Sequence, residues 1–89
     1  MRSFASAKFW RACEKLTTDE QEQAEKAHKL FRNDPKHPSL HFKVIWRDRS
    51  MWSARASRDL RVLGRKDGDE IEWFRIGRHK DYDRILGSS

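Results

Sequence analysis

The sequence predicts an α+β fold in which an N-terminal antiparallel helix hairpin packs on one face of a mainly antiparallel four-stranded sheet. Two observations predict this fold. Apolar residues recur at helical spacing before residue 34, and they alternate with polar residues, as in strands, after residue 41. Two prolines, Pro35 and Pro38, separate these patterns and end whatever helix precedes them. With 89 residues the chain is expected to form a single domain spanning 1–89.

Two helices are predicted before the prolines. Apolar residues with spacing i, i+3, i+4, i+7 predict a first helix over about 7–16, with Ser6 as its N-cap; they are Phe9, Ala12, Cys13 and Leu16. Thr17 with Glu20, and Thr18 with Gln21, form two overlapping capping boxes that predict the start of a second helix, which runs to about Asn33. The short connection predicts an antiparallel pair.

Four strands are predicted after the prolines. Residues 41–46 alternate, and 51–57, 60–65 and 70–77 are the next three candidates, with Gly68 in a hairpin loop over 66–69. In the second of these strands Trp52 and Ala54 share one face, which is expected to meet the helices. Residues 1–5 are a possible short edge strand, and 78–86 a short C-terminal helix.

Composition excludes several classes of protein. No stretch reaches the roughly 18–20 apolar residues of a membrane span, and Lys8 and Arg11 interrupt the N-terminal segment where a signal peptide needs an apolar run. Cys13 is the single cysteine, which suits a reducing compartment. We therefore expect a cytoplasmic protein with no membrane contact. No cofactor is expected, and no metal either, because Pro38 prevents the helix that would bring His37 and His41 together.

The positive charge is concentrated in the predicted sheet. Residues 1–34 hold seven basic and six acidic side chains, whereas residues 35–89 hold thirteen and eight, and the whole chain carries +6. Strand alternation places Arg55, Arg61 and Arg75 on the face that the helices leave uncovered, with Trp73 expected as an exposed indole beside them. Guanidinium groups bind phosphates and an exposed indole stacks on an unpaired base, so this face would suit single-stranded RNA.

A second interpretation of the same arginines is structural. They would then form solvated cross-strand ion pairs, each contributing about 0–1 kcal/mol. The acidic residues available for such pairs are Asp59, Asp69, Glu70 and Glu72.

Two stretches of the chain resemble the RelE/ParE superfamily of bacterial toxin–antitoxin toxins. They are SARASRDLRVLG at 53–64, similar to the family's arginine-bearing central strand, and WFRIGRHKDYDRIL at 73–86, similar to its C-terminal segment. HPSLHFK at 37–43 also resembles a subgroup of these proteins. The likeness covers about 8–86 and implies a RelE-like fold. It also implies a cognate antitoxin as partner.

The resemblance implies roles for particular residues in metal-independent RNA cleavage. Arg61 matches the central-strand arginine and would stabilise the transition state, and His79 would act as acid or base with Tyr82 at the family's C-terminal tyrosine. Basic and aromatic residues would hold the RNA; these are Lys43, Arg55, Arg75, Arg78 and Trp73. In the structural alternative, His79 caps the last helical turn and Tyr82 packs in the core. Leu60 replaces the aromatic residue often found before the central arginine.

Three functions are compatible with this resemblance. The leading hypothesis is a ribosome-dependent mRNA endonuclease that inhibits translation, with the ribosome and mRNA as partners. A ParE-like inhibitor of DNA gyrase, which performs no chemistry of its own, is the second. An inactive toxin homologue that acts as a protein-binding module is the third.

Overall fold

The computed structural model describes residues 2–78 and 80. It has two α-helices and a five-stranded mixed sheet. The elements are β1 (Arg2–Ala5), α1 (Ala7–Glu14), α2 (Thr18–Asn33), β2 (Lys43–Trp46), β3 (Met51–Arg55), β4 (Leu60–Asp67) and β5 (Glu70–Arg78), with short 3₁₀ turns at Pro38–Leu40 and Arg47–Arg49. Within the described residues, no helix is both long and apolar enough to cross a membrane.

Capping residues begin both helices where the sequence predicts. The Ser6 hydroxyl accepts a hydrogen bond of 3.2 Å from the backbone N–H of Phe9. At α2, Thr17 and Glu20 form the reciprocal capping box, with bonds of 3.1 Å and 3.0 Å. These bonds satisfy N–H groups that the first helical turn leaves without a partner.

The strand order is β1-β5-β4-β3-β2, and β1 pairs with β5 in parallel. The prediction of a four-stranded, mainly antiparallel sheet is therefore wrong. A fifth strand joins the two ends of the described chain, with Arg2 opposite Glu70 and an ion pair of 3.0 Å between their side chains. Sequence alternation alone does not reveal this pairing, because the partners are almost seventy residues apart.

The prediction of a helix hairpin is also wrong. Each helix makes its own contact with β5: α1 packs against this strand, and α2 reaches it through Phe31, whose ring lies 5.2 Å from that of Trp73. A cavity of about 550 Å³ lies between the helices and the sheet, lined by side chains that include Phe9, Cys13, Ala24 and Ala27.

The predicted C-terminal helix over 78–86 lies outside the described residues except for Arg78, which ends β5, and Lys80.

The core lies between the helices and one face of the sheet. It contains Phe31, Leu40, Ala54, Ile71 and Trp73, each at most 4% exposed. Partly buried side chains of both helices, of β3 and of β4 surround it, together with Phe42 just before β2, whose ring stacks on Trp52 at 4.6 Å between ring centroids. Burial of each large apolar side chain stabilises the fold by roughly 1.5–3 kcal/mol.

Candidate nucleic-acid interface

Strand pairing places basic residues of β2, β3, β4 and β5 on the sheet face opposite the helices. We call this surface the cationic face, defined by Lys43, Arg55, Arg61, Arg65 and Arg75. Side chains of paired residues point to the same side of a sheet, and Ala54 and Trp52 fix which side faces the helices. One row across the strands reads Lys43, Ser53, Leu63 and Arg75, and the row beside it reads Arg55, Arg61 and Gly77.

The sequence-predicted residues Lys43, Arg55, Arg61 and Arg75 therefore share one face. Arg55 and Arg61 lie directly opposite each other on β3 and β4. Arg75 lies opposite Leu63, two residues from Arg61 along β4. Directly opposed residues have Cβ atoms about 4.5–5.5 Å apart, so Arg55 and Arg61 are close neighbours, and Arg75 lies one row away.

The loop between β3 and β4 holds two of the guanidinium groups. Arg61 Nη1 donates to the backbone carbonyl oxygens of Ser57 and Leu60, each at 3.1 Å, and Arg55 Nε donates to Ser57 at 3.4 Å. Both guanidiniums therefore lie beside one carbonyl oxygen. Fixing such groups before a ligand arrives reduces the ordering entropy that binding costs.

Between described residues, the cross-strand ion pairs of the structural alternative are not formed by Arg55 or Arg75. Glu70 pairs with Arg2 instead. Glu72 lies in the next row, opposite Arg65. Among the described residues, Asp67, Glu70 and Glu72 share this face with the five basic residues and Arg2, so a moderate excess of positive charge remains, which attracts polyanions.

Arg78 does not lie with the other predicted RNA-binding residues. It is opposite Leu60, on the side of the sheet that the helices cover, and its Nη2 forms a 3.0 Å ion pair with Glu20 Oε1. The backbone hydrogen bond from Thr17 and, to a smaller extent, Arg78 hold the pKa of Glu20 below its usual value. Arg78 thus links β5 to the start of α2.

Trp73 is a core residue, and the expectation of an exposed indole is wrong. It is 4% exposed, and its Nε1 donates to the Ser3 hydroxyl at 2.9 Å. The reason is a register shift between β4 and β5: Leu63 pairs with Arg75 but Gly64 pairs with Trp73, so Phe74 is an extra residue. The shift turns Trp73 toward the helices and leaves Arg75 on the cationic face.

Sequence reasoning missed two members of this surface. Arg65 follows Arg61 and Leu63 at the strand spacing, so alternation was sufficient to find it. Its guanidinium lies 5.9 Å from the ring centroid of Phe74. Phe74 could not be found in this way, because only the register shift places it on this side.

The predicted acid–base residues His79 and Tyr82 lie outside the described residues.

Two other titratable groups lie on the helix side. Burial, with a smaller effect from Arg32, lowers the pKa of His28, whose Nε2 is 3.4 Å from the Ser3 hydroxyl. Burial raises the pKa of the Cys13 thiol, which disfavours the nucleophilic thiolate. In the described part of the chain, His, Cys, Asp and Glu form no group of three or more that could hold a metal ion.

Comparison with known proteins decides the family. Residues 19–84 match the ParE-like toxin domain. The chain belongs to this family. The match includes the central-strand segment and most of the C-terminal segment on which the resemblance depends, and it confirms that resemblance.

Solved structures of ParE-like and RelE-like toxins share this fold. The YoeB/ParE toxin from Agrobacterium tumefaciens is 16% identical, with a TM-score of 0.67 over 89% of this chain and 99% of that one. A chain of the RelB–RelE antitoxin–toxin complex from Methanococcus jannaschii is 13% identical, with a TM-score of 0.72 over 92% of this chain and 96% of that one. A chain of the RelBE2 toxin–antitoxin complex from Mycobacterium tuberculosis is 20% identical, with a TM-score of 0.69 over 88% of this chain and 96% of that one. No curated protein matches the ParE-like chain at the level of its sequence.

Proposed function

We propose that the chain is the toxin of a type II toxin–antitoxin system and that it cleaves mRNA on the ribosome. The family match supports a toxin role, and so does the fold, which this chain shares with RelE, YoeB and YafQ toxins. The observation that carries the nuclease proposal is the cationic face, where two loop-held arginines lie beside Lys43 and Arg75.

The proposed reaction needs no metal. A base takes the proton of a 2′-hydroxyl group, the 2′-oxygen attacks the adjacent phosphorus, and an acid protonates the 5′-oxygen as its bond to phosphorus breaks. Arg61 and Arg55 stabilise the negative charge that develops on the phosphoryl oxygens, while Lys43 and Arg75 hold the RNA backbone. His79 and Tyr82 are the proposed partners for proton transfer.

A translating extract tests this proposal. The wild-type chain should cut messages within codons at the ribosomal A site. Arg75→Gln should reduce cleavage by about 10- to 100-fold, because a charge-assisted phosphate contact is worth roughly 1.5–3 kcal/mol. Arg61→Ala should reduce it by about 100-fold or more, as expected for a group that stabilises the transition state. Arg11→Gln removes the same charge from exposed α1 and should leave cleavage unchanged.

Intact messages in the presence of the wild-type chain would refute the nuclease proposal. Because the family is described as ParE-like, inhibition of DNA gyrase is the second candidate function. Inhibited supercoiling with normal translation would select it. Harmless expression of the chain would instead select an inactive homologue that binds proteins.

A cognate antitoxin is the proposed partner. Structures that share this fold include a RelB–RelE complex and a DinJ–YafQ complex. We expect the antitoxin's binding segment to be acidic, because it must compete for a basic surface. Induction of the chain with and without its neighbouring reading frame tests for such a partner, and growth arrest only in the absence of that frame would support it.

A further inference from the structure

Two register shifts turn two aromatic side chains toward the cationic face. On β5 the extra residue is Phe74. On β2, Val44 pairs with Trp52 but Trp46 pairs with Met51, so Ile45 is the extra residue there. Simple alternation would place Trp46 beside Val44 on the helix side. The shift instead gives it the orientation of Met51, which is shared with Ser53 and Arg55.

Trp46 continues the cationic face at the sheet edge. Trp46, Met51, Arg65 and Glu72 form one row across β2 to β5, and the adjacent row contains Lys43 and Arg75. The indole is 40% exposed, and the guanidinium of Arg49 lies 5.5 Å from its ring centroid. The exposed indole of Trp46 therefore lies at the edge of the cationic face, and the Arg49 guanidinium lies beside its ring.

We propose that Trp46 stacks on an unpaired base of an RNA strand whose phosphates lie along the cationic face. This inference rests on the proposed function and identifies a base-binding residue for it. Each base has a π-face that can stack on an indole, whereas the bases of a duplex are already stacked on each other. Positive charge attracts an acidic protein segment as well as RNA, but an exposed indole beside the cations favours RNA, because RNA supplies both phosphates for the cations and unpaired bases for the ring.

Trp10 is a natural control for this role. It is 57% exposed, more than Trp46, but it lies on α1, on the helix side of the sheet, and packs edge-on against Phe9. Exposure alone would favour Trp10. Only the position beside the cationic face favours Trp46.

Fluorescence anisotropy with a short, labelled single strand of RNA tests the proposal. The strand is fully 2′-O-methylated, because it then lacks the 2′-hydroxyl group needed for cleavage and stays intact during the measurement. Trp46→Ala should weaken its binding by about 5- to 100-fold, as expected for one lost base stack. Trp46→Phe should restore most of the affinity, and Trp10→Ala should bind like the wild type. A duplex of the same sequence should bind equally well to all four proteins.

The salt dependence of binding separates stacking from charge. Trp46→Ala should leave the slope of log affinity against log salt unchanged, because stacking releases no counterions. Arg75→Gln should reduce that slope by about 0.7, the value for one phosphate contact on a single strand.

The results that would overturn the inference are distinguishable from one another. If the wild type cuts messages in the extract and binds the single strand, but Trp46→Ala binds as Trp10→Ala does, Trp46 is not a stacking residue and the proposed function stands. If the wild type cuts messages but does not bind the free strand, the inference fails and the proposed function stands. If it neither cuts messages nor binds the strand, both proposals fail. Tighter binding of an acidic peptide than of RNA, lost in Trp46→Ala, would assign this surface to a protein partner.

Discussion

At the scale of single residues, Gly64 on β4 has no room for a side chain beside β5. A Cβ atom there would lie 2.7 Å from Trp73 Cε3 and 2.9 Å from Ile71 Cγ1. Both neighbours are buried, and Trp73 is held by its hydrogen bond to Ser3. We expect Gly64→Ala to lower the free energy of unfolding by about 1–3 kcal/mol, measured by urea denaturation. Gly68→Asn should be nearly neutral, because that turn has a positive φ and open space around it.

His28 should make the fold less stable in mild acid. Its pKa is lowered in the folded protein, so the unfolded chain binds the proton more readily, and stability falls as the pH drops below about 6.5. Thermal unfolding at pH 7.5 and pH 5.5 should show a smaller loss for His28→Gln than for the wild type. His41→Asn, a change at an exposed turn residue, should behave like the wild type. Equal losses in all three proteins would contradict this assignment.

At the scale of elements, the capping box decides where α2 begins. Thr17 accepts from the backbone N–H of Glu20, and the Glu20 carboxylate accepts from that of Thr17. Thr17→Ala should destabilise the protein by about 1 kcal/mol, detectable as a shift in the urea midpoint. Thr18→Ala is the matched control, because Thr18 is already the first helical residue. A similar loss in both variants would show that the cap is unimportant.

At the scale of the whole molecule, β1 joins the beginning of the chain to β5. The Ser3 hydroxyl lies between Trp73 Nε1 and His28, so one side chain connects β1, β5 and α2. Ser3→Ala leaves the buried indole N–H without its partner and should cost about 1–3 kcal/mol of unfolding free energy. Arg2→Gln removes an exposed ion pair and an exposed cation–π contact with Phe4 from the same strand and should cost about 1 kcal/mol or less. Equal effects in urea denaturation would contradict a specific role for Ser3.

Local features were predictable from the residues alone. Ser6 and Thr17 begin the helices, and Arg55 and Arg61 share a face, because capping and alternation depend on neighbours within a few positions. The family resemblance also came from contiguous segments. The orientations of Trp46 and Trp73 were not predictable in this way. They depend on register shifts, just as the fifth strand depends on the parallel pairing of β1 with β5, and both are set by the combined packing of side chains from distant strands.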